Sequence, residues 1–456
     1  MKYAPCLLFC FSVAATTHAE LLVNGGSLGL QTTVGATNHV WADPPSENVV
    51  FDRWEGDVSV LNDAYSWRTT AVMPAASLVI SATYKAAPVW SSTTHILNGL
   101  ATGDPNAVRL TFYFPLNPVG VIFLFHGGGG SASGWFAKNV ENISFLRDAV
   151  AAGYAVAALD STDRVNKQWD GSSSITNMDV VSVQSAITHF SGLGLMTADT
   201  PKFAIGMSNG GGFAPKPAYH LGFHACGIFC SSGQPAQIFS LTTVPTIWNL
   251  SRNDDLYDHM SFLPNATANL ASLTAQSPSI AGELRENLAS PVYSRRFLRV
   301  PGCTVAESQA IYNLLKSGGF LDPQDFLLAD PATSGWASVL PVGLAPYQSD
   351  IADQLSCCYS AHKFFSDYNN KVLQFFGARR PPIVGRGPIR SIIRQTGGTI
   401  LLTIAADPGQ DYQVQASPDL ATWTVVFTSI YSGGTFDFTD APTPTASQRF
   451  YRTLSP

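Results

Sequence analysis

Gly206-Met207-Ser208-Asn209-Gly210 follows directly on the apolar run Phe203-Ala204-Ile205 and runs on into Gly211-Gly212. A serine between a strand and a helix start sits on a sharp turn with a strained backbone. The chain tolerates that turn only where the residues two positions away on either side lack bulk. Gly206 and Gly210 meet this condition. The pattern therefore predicts Ser208 on an exposed elbow at the end of a sheet, the placement a nucleophile needs.

The sheet itself is legible in runs that are apolar without alternation. Val119–Phe125, Tyr154–Asp160 and Pro245–Leu250 join Phe203–Ile205 as strands buried on both faces. Amphipathic stretches separate them, with a helix near Ile143–Ala152 and another capped by Asn177 and running through Val181, Gln184 and Ile187. The expected fold class is α/β, with a mainly parallel sheet over residues 88–378, flanked by small all-β domains at 20–86 and 389–456. Arg379-Arg380-Pro381-Pro382, Gly385 and Gly387 mark a linker at 379–388. At 456 residues the chain accommodates this division into two or three domains.

His126-Gly127-Gly128-Gly129-Gly130 lies at the end of the Val119–Phe125 run. Acyl transfer requires two backbone N–H groups aimed at a developing oxyanion. Asn209, directly after the serine, is one candidate, and Gly128 is the other, with Gly129 as second choice. In an α/β-hydrolase the order of the triad is serine, acid, histidine. The strand ending at Leu250 delivers Ser251-Arg252-Asn253-Asp254-Asp255, so Asp254 or Asp255 is the acid. His220 and His224 precede it and His259 follows it too closely, which leaves His362. His362 is expected on a loop before an amphipathic helix holding Phe364, Phe365, Tyr368, Val372 and Phe375. Trp135 follows the glycine loop and Trp169 follows a strand end, and both are candidate substrate-binding residues, with packing as the equal alternative.

Residues 105–255 resemble the esterase/polyhydroxybutyrate depolymerase family in His126–Gly130, in Gly206–Gly211 and in the Pro245…Asp254 strand. The resemblance implies an α/β-hydrolase fold, Asp254 rather than Asp255 as acid, and carboxylic ester hydrolysis by a serine nucleophile. Feruloyl and acetylxylan esterases share these motifs. Phe51-Asp52-Arg53-Trp54-Glu55-Gly56-Asp57, Met73-Pro74 and Ala82-Thr83-Tyr84 resemble a divergent internalin B-type repeat, which implies that Phe51 and Trp54 pack inside a small β module. The segment Thr399–Arg452 is similar in outline to fibronectin type III-like modules of secreted enzymes. The expected function is a secreted serine esterase acting on a polyester such as polyhydroxyalkanoate. A carbohydrate esterase is the alternative, and an adhesin-like protein with an inert hydrolase domain the distant one.

Two further expectations concern the long Asp254-to-His362 interval and the helix after Ser208. Glu283–Asn287 and Glu307–Lys316 read as helical parts of a cap-like insertion at about 260–345, and Pro215 and Pro217 should shorten or kink the helix behind the nucleophile. Neither β domain contains a triad residue, so residues 88–380 alone are expected to retain turnover of a soluble ester, while the modules either bind polymer or serve as spacers or anchors to the export machinery or cell surface.

Lys2, the apolar stretch Ala4–Ala15 and Thr17-His18-Ala19 have the form of a signal peptide at 1–19, which predicts secretion (extracellular or periplasmic) with Glu20 as the first mature residue. A net charge of -6 with 13% charged residues argues against a nucleic-acid partner. The cysteine and histidine spacings do not suggest a metal site, and no cofactor or membrane insertion is expected. Cys226 and Cys230 on one strand would be roughly 13 Å apart, too far to pair. Cys303 with Cys357 or Cys358 is the expected bridge.

Overall fold

A computed structural model of the chain describes residues 20–97, 108–137, 139–233, 236–256, 261–276, 282–380, 383–384, 389–395, 398–406, 410–431, 434–441 and 448–455. The expected signal peptide, His259 and most of the expected linker lie outside the described residues.

Six strands come first: β1 (Leu21–Asn24), β2 (Gly26–Leu28), β3 (Thr37–Ala42), β4 (Val49–Gly56), β5 (Arg68–Val72) and β6 (Leu78–Ala86). They form two sheets, ordered β1-β6-β4 and β2-β3-β5. β1 and β6 run parallel and the other pairs antiparallel. Phe51 and Trp54 are buried among Leu21, Val40, Trp41 and Ile80. The Trp54 indole N–H is satisfied by the Ser66 carbonyl at 3.0 Å, so this tryptophan is core.

The central sheet is built from β7 (Thr93–Ile96), β8 (Arg109–Tyr113), β9 (Val121–Phe125), β10 (Ala155–Leu159), β11 (Lys202–Met207), β12 (Ala225–Phe229), β13 (Thr246–Ser251) and β14 (Glu283–Asn287). Its order is β14-β13-β12-β11-β9-β10-β8-β7. β9 to β14 are parallel to their neighbours, and β8 runs antiparallel to β10 and β7. Side chains alternate along the strands into two cores. Phe123 and Phe125 join Phe190, Phe213 and Trp248 on one face, and Ile122 and Leu124 join Phe145, Phe203 and Phe376 on the other. The chain leaves β9 for β10 on one side and returns to β11 on the other, so the order reverses at β9. Ligands of open α/β sheets sit outside the strand C-termini at such a reversal. Here Gly206 pairs with Phe125, which puts the serine elbow beside the glycine loop. This topology, with its antiparallel β8, is that of an α/β-hydrolase.

The helix behind Ser208 is broken as the prolines require, into Asn209–Phe213 and Pro215–His220. Glu283–Asn287, expected to be helical, is instead the edge strand β14 on β13. Its mixed polar sequence reads like a helix surface because four of its five residues are only half-buried at the sheet edge. β14 therefore splits the expected insertion. The helix Phe262–Gln276 precedes it, and the helices Val305–Ser317 and Gln348–Tyr359 follow with a core of their own around Phe297, Ile311, Trp336 and Leu355. The helix expected from Phe364 begins at Asn369; Phe364, Phe365 and Tyr368 pack from the segment before it.

The last strands are β15 (Ile383–Val384), β16 (Ile389–Arg394), β17 (Ile400–Ala406), β18 (Gln410–Ser417), β19 (Thr424–Tyr431), β20 (Gly434–Asp440) and β21 (Phe450–Ser455). They form antiparallel sheets ordered β15-β21-β18-β19 and β16-β17-β20, which share the core Leu402, Ile404, Tyr412, Val414 and Phe436. Ile383–Val384, within the expected linker, pairs with Leu454–Ser455.

The expected disulfide is not formed: Cys226, Cys230, Cys303, Cys357 and Cys358 are all free and buried. Neighbours on a helix point about 100° apart. Cys357 accordingly faces the central-sheet core, while Cys358 faces the insertion core that also holds Cys303. Each behaves as a small apolar side chain. Among the described residues no helix is long and apolar enough to cross a membrane.

Candidate active site

Ser208 terminates β11 with φ 55° and ψ -120°, a left-handed strain for a residue with a Cβ. The flanking glycines allow it. A Cβ on Gly206 would overlap the Gly210 carbonyl, and one on Gly210 would overlap the carbonyls of Phe125 and His126. The turn thus packs backbone against backbone and presents the serine hydroxyl at the sheet's C-terminal edge.

His362 Nε2 lies 2.8 Å from Ser208 Oγ, and His362 Nδ1 lies 2.6 Å from Asp254 Oδ2. The other Asp254 oxygen accepts the Leu256 N–H at 2.8 Å, which fixes the carboxylate from behind. Asp254 is buried, whereas Asp255 is exposed and takes no part. Both ring nitrogens of His362 are engaged, with Nδ1–H donating to the carboxylate and Nε2 left to accept from the serine. Among the described residues, one group of side chains has metal-ligand chemistry within 4.8 Å: Cys230, Asp254 and His362. These imidazole bonds already occupy its histidine. Burial, then the Asp254 charge, pushes the Cys230 thiol up to about 12, so it holds its proton.

The glycine loop closes the other side. Gly129 and Gly130 donate their N–H groups to the Lys167 and Gly127 carbonyls at 3.0 Å each. The N–H groups of Gly128 and Asn209 have no acceptor among the described residues. A Cβ on Gly128 would meet Gln168 Nε2 at 2.5 Å, so this loop is held against the segment before Trp169. His126 supports it from below. Its Nδ1–H donates to the Gly127 carbonyl at 2.7 Å, and its Nε2 accepts the Ser161 N–H at 3.2 Å. Burial lowers the His126 pKa to about 4, consistent with a ring that fits only when neutral.

Two cavities meet at Ser208. One, of about 210 Å³, is lined by His126, Gly128, Trp135, Asn142, His362 and Phe364. The other, of about 340 Å³, is lined by Trp169, Asn209, Lys216, Ser232, Leu256 and Phe262. The two tryptophans therefore stand one in each wall. Trp169 stacks on Phe213 at 4.5 Å, donates its indole N–H to the His126 carbonyl at 2.7 Å, and its own backbone N–H is held by Asn209 Oδ1 at 2.7 Å. Trp135 packs edge-on against Phe364 at 4.9 Å.

Two residues of the site escaped the sequence reading. Ser360, at φ 64°, ends the helix Gln348–Tyr359 and joins the acid loop to the histidine loop. Lys216 is buried in the wall of the larger cavity, and its only sequence signal is its place between Pro215 and Pro217 behind the elbow.

No protein-family profile matches the chain, and no curated protein sequence matches it. Among solved structures it is similar to a ferulic acid esterase at 10% identity, over 43% of this chain and 89% of that one, with a TM-score of 0.34. An esterase from Pseudomonas putida ECU1011 is similar at 14% identity, over 44% and 75% of the two chains, with a TM-score of 0.31. An S-formylglutathione hydrolase from Agrobacterium tumefaciens is similar at 12% identity, over 44% and 88%, with a TM-score of 0.33. Likenesses this weak carry no inference about what this chain acts on.

Proposed function

We propose that the protein is a secreted serine esterase that cleaves carboxylic esters by two-step acyl transfer. The observation that carries this reading is the unbroken hydrogen-bonded line from Asp254 through His362 to Ser208, at 2.6 and 2.8 Å. In the cycle, His362 Nε2 takes the Ser208 proton as Oγ attacks the ester carbonyl. Negative charge collects on the carbonyl oxygen, toward the unengaged N–H groups of Gly128 and Asn209. Collapse of the tetrahedral intermediate breaks the acyl–oxygen bond, and His362 returns the proton to the leaving alcohol. Water then repeats the sequence on the acyl-enzyme, with His362 again as base. Asp254 holds the imidazole in the tautomer with hydrogen on Nδ1 and stabilises the transient imidazolium.

For the substrate, the reading is a polyester such as a polyhydroxyalkanoate. It rests on the motif resemblance in residues 105–255 and on the two cavities that open at Ser208. The β modules at the two ends would act as polymer or surface contacts outside the active site.

The test is a panel of 4-nitrophenyl butyrate, emulsified polyhydroxybutyrate and methyl ferulate, with wild type and Ser208→Ala. Turnover of the first two, abolished in the variant to about a millionth of wild type, is expected. Turnover confined to methyl ferulate would move the substrate to polysaccharide esters. Residual activity of a tenth in Ser208→Ala would remove the nucleophile.

A further inference from the structure

The larger cavity at Ser208 holds a cation that the acyl-transfer cycle does not use. Lys216 is 2% exposed and lines that cavity from the helix Pro215–His220. Its ammonium donates to the Asp170 carbonyl at 2.8 Å and makes no ion pair among the described residues. The charged groups that face it are the carboxylates of Asp170 and Asp179. Asp179 is committed elsewhere, accepting the N–H groups of Thr162 and Asp170 at 2.6 Å each. An ammonium carries three donors, so donors remain to be spent. Ser232, also fully buried, lines the same cavity, and its hydroxyl has no partner among the described residues.

A buried cation on one neutral acceptor is costly unless an anion completes it. Burial pushes the Lys216 ammonium down to about 8, against the smaller pull of the two carboxylates, and it keeps most of its charge at neutral pH. Trp169, Leu256 and Phe262 supply apolar wall beside the polar Asn209 and Ser231, so the cavity offers a partly hydrophobic passage from Ser208 to these donors.

We propose that this cavity is a carboxylate subsite, taking esters that carry a carboxylate some atoms from the scissile bond and holding it with Lys216 Nζ and the Ser232 hydroxyl, an assignment that rests on ester hydrolysis at Ser208. In a polyester of hydroxy acids only the chain end bears such a group. The subsite therefore favours short oligomers, cut near their acid end, over the interior of a polymer.

Two ester pairs test this at pH 7. Mono-4-nitrophenyl adipate and its methyl ester place the acid on the acyl side, and 4-acetoxybenzoate and its methyl ester place it on the alcohol side. In one pair the kcat/KM of wild type should favour the acid by about 10- to 100-fold, the range of a hydrogen bond to a charged group. That ratio should fall as pH rises from 7 to 9.5 and the ammonium loses its proton. In Lys216→Met it should collapse toward one, and in Lys216→Arg most of it should survive. A merely structural lysine would leave the ratio unmoved. A wild-type preference for the neutral ester in both pairs overturns the subsite, as does a ratio that Lys216→Met leaves unchanged. Should Lys216→Met not fold, a wild-type ratio that stays flat from pH 7 to 9.5 overturns it equally. Absence of turnover on all four esters, or turnover that survives Ser208→Ala, is a different outcome, which sinks ester hydrolysis at Ser208 and the subsite with it.

Discussion

The Ser360 hydroxyl accepts the Arg252 N–H at 2.9 Å and donates to the Asn287 carbonyl at 2.5 Å. It thereby ties the loop that carries Asp254 to the one that carries His362, and both to the end of β14. The Ser360 carbonyl adds a bond from the Asn253 N–H at 3.0 Å. Ser360→Gly removes the hydroxyl while relieving the φ of 64°. The expected result is a folded protein with kcat lowered about 10- to 100-fold and KM little changed, because acid and histidine lose their common anchor. Wild-type kcat in Ser360→Gly would mean that the backbone bond alone positions the pair.

The elbow makes a sharper demand. A Cβ on Gly210 would fall inside the Phe125 and His126 carbonyls, where neither partner can move without breaking β9. Gly210→Ala is therefore expected to yield little soluble protein and no turnover. Gly211→Ala is less crowded, with Ser231 Cβ at 2.9 Å and the Phe229 and Gly206 carbonyls at 3.1 and 3.2 Å, so its neighbours must shift by a few tenths of an ångström instead of being overlapped outright. It should keep measurable activity and lose about 2–4 °C of melting temperature for each kcal/mol of strain. Equal damage from both substitutions would refute the steric account of the elbow.

The contrast between these features and Ser360 shows what the sequence exposes. Gly206 and Gly210 are legible because the elbow is a local conformation set by residues four apart. The buried strands are legible because unbroken apolar runs have few other uses. Ser208, Asp254 and His362 were reachable because a known chain order constrains residues that space brings together. Ser360 and Lys216 had no comparable signal. Their roles come from contacts to Asn287 and Asp170, 73 and 46 residues away. β14 misled for a related reason, since an edge strand shows half its pattern to solvent. The cysteines misled because an expected oxidising compartment suggests bridges, whereas each of these thiols is buried as an apolar side chain, Cys357 in one core and Cys303 and Cys358 in another.

Asp254 and Asp255 are adjacent, and only Asp254 touches the histidine. Asp254→Asn keeps the volume but presents an amide to Nδ1 and favours the wrong tautomer. A loss of about ten-thousandfold in kcat is expected. Asp255→Asn, on an exposed side chain, should remain within about twofold of wild type. The same kinetics measured on both variants decide the acid, and a larger loss at Asp255 would reassign it.

Acid should destabilise the fold in two stages. Burial holds His126 at about 4, and burial followed by the Arg68 charge holds His39 at about 4. The unfolded imidazoles bind protons from about 6.5 downward. The unfolded state thus takes up more protons between these values, so stability present above pH 6.5 is lost as pH falls toward 4, by about 3 kcal/mol for His126. The Glu141 carboxyl acts lower. Burial alone would raise it, but the Arg299 and Arg296 guanidinium groups hold it down to about 2. Its contribution is therefore present above the ordinary carboxylate range and fades as pH falls through that range toward 2. Thermal melts should show a drop of about 5 °C or more between pH 7 and 4.5 and a steeper one below 4. A melting temperature that is constant from pH 7 to 4.5 would contradict neutral, buried imidazoles.

Residues 20–86 contain no triad residue, yet their contacts reach the loop that holds His362. Trp41 stacks on Tyr293 at 4.3 Å, and the Trp67 indole N–H donates to the Ser366 carbonyl at 3.4 Å. Arg68 pairs with the buried carboxylate of Asp367, and Ser66 donates to the Asp367 carbonyl at 3.2 Å. Arg299, whose guanidinium lies 4.3 Å over the Trp67 ring, is bound to Glu141 Oε1 at 3.0 Å, and Glu141 Oε2 holds the Ser366 N–H at 2.8 Å. A chain beginning at residue 88 exposes Tyr293, an aromatic whose burial is worth about 2–3 kcal/mol. It also leaves Asp367 without its cation, at a cost of about 3–5 kcal/mol. Together these approach the whole stability of a typical domain. The truncated chain is therefore expected to be poorly soluble and, where it folds, to melt at least 10 °C lower. Because Ser366 and Asp367 follow His362 closely, its kcat on 4-nitrophenyl butyrate should fall as well. Arg68→Met in the full chain isolates the ion pair, and should lower both melting temperature and kcat by less than the truncation does. A truncated chain with wild-type melting temperature and rate would show instead that these β strands rest on the hydrolase without supporting it.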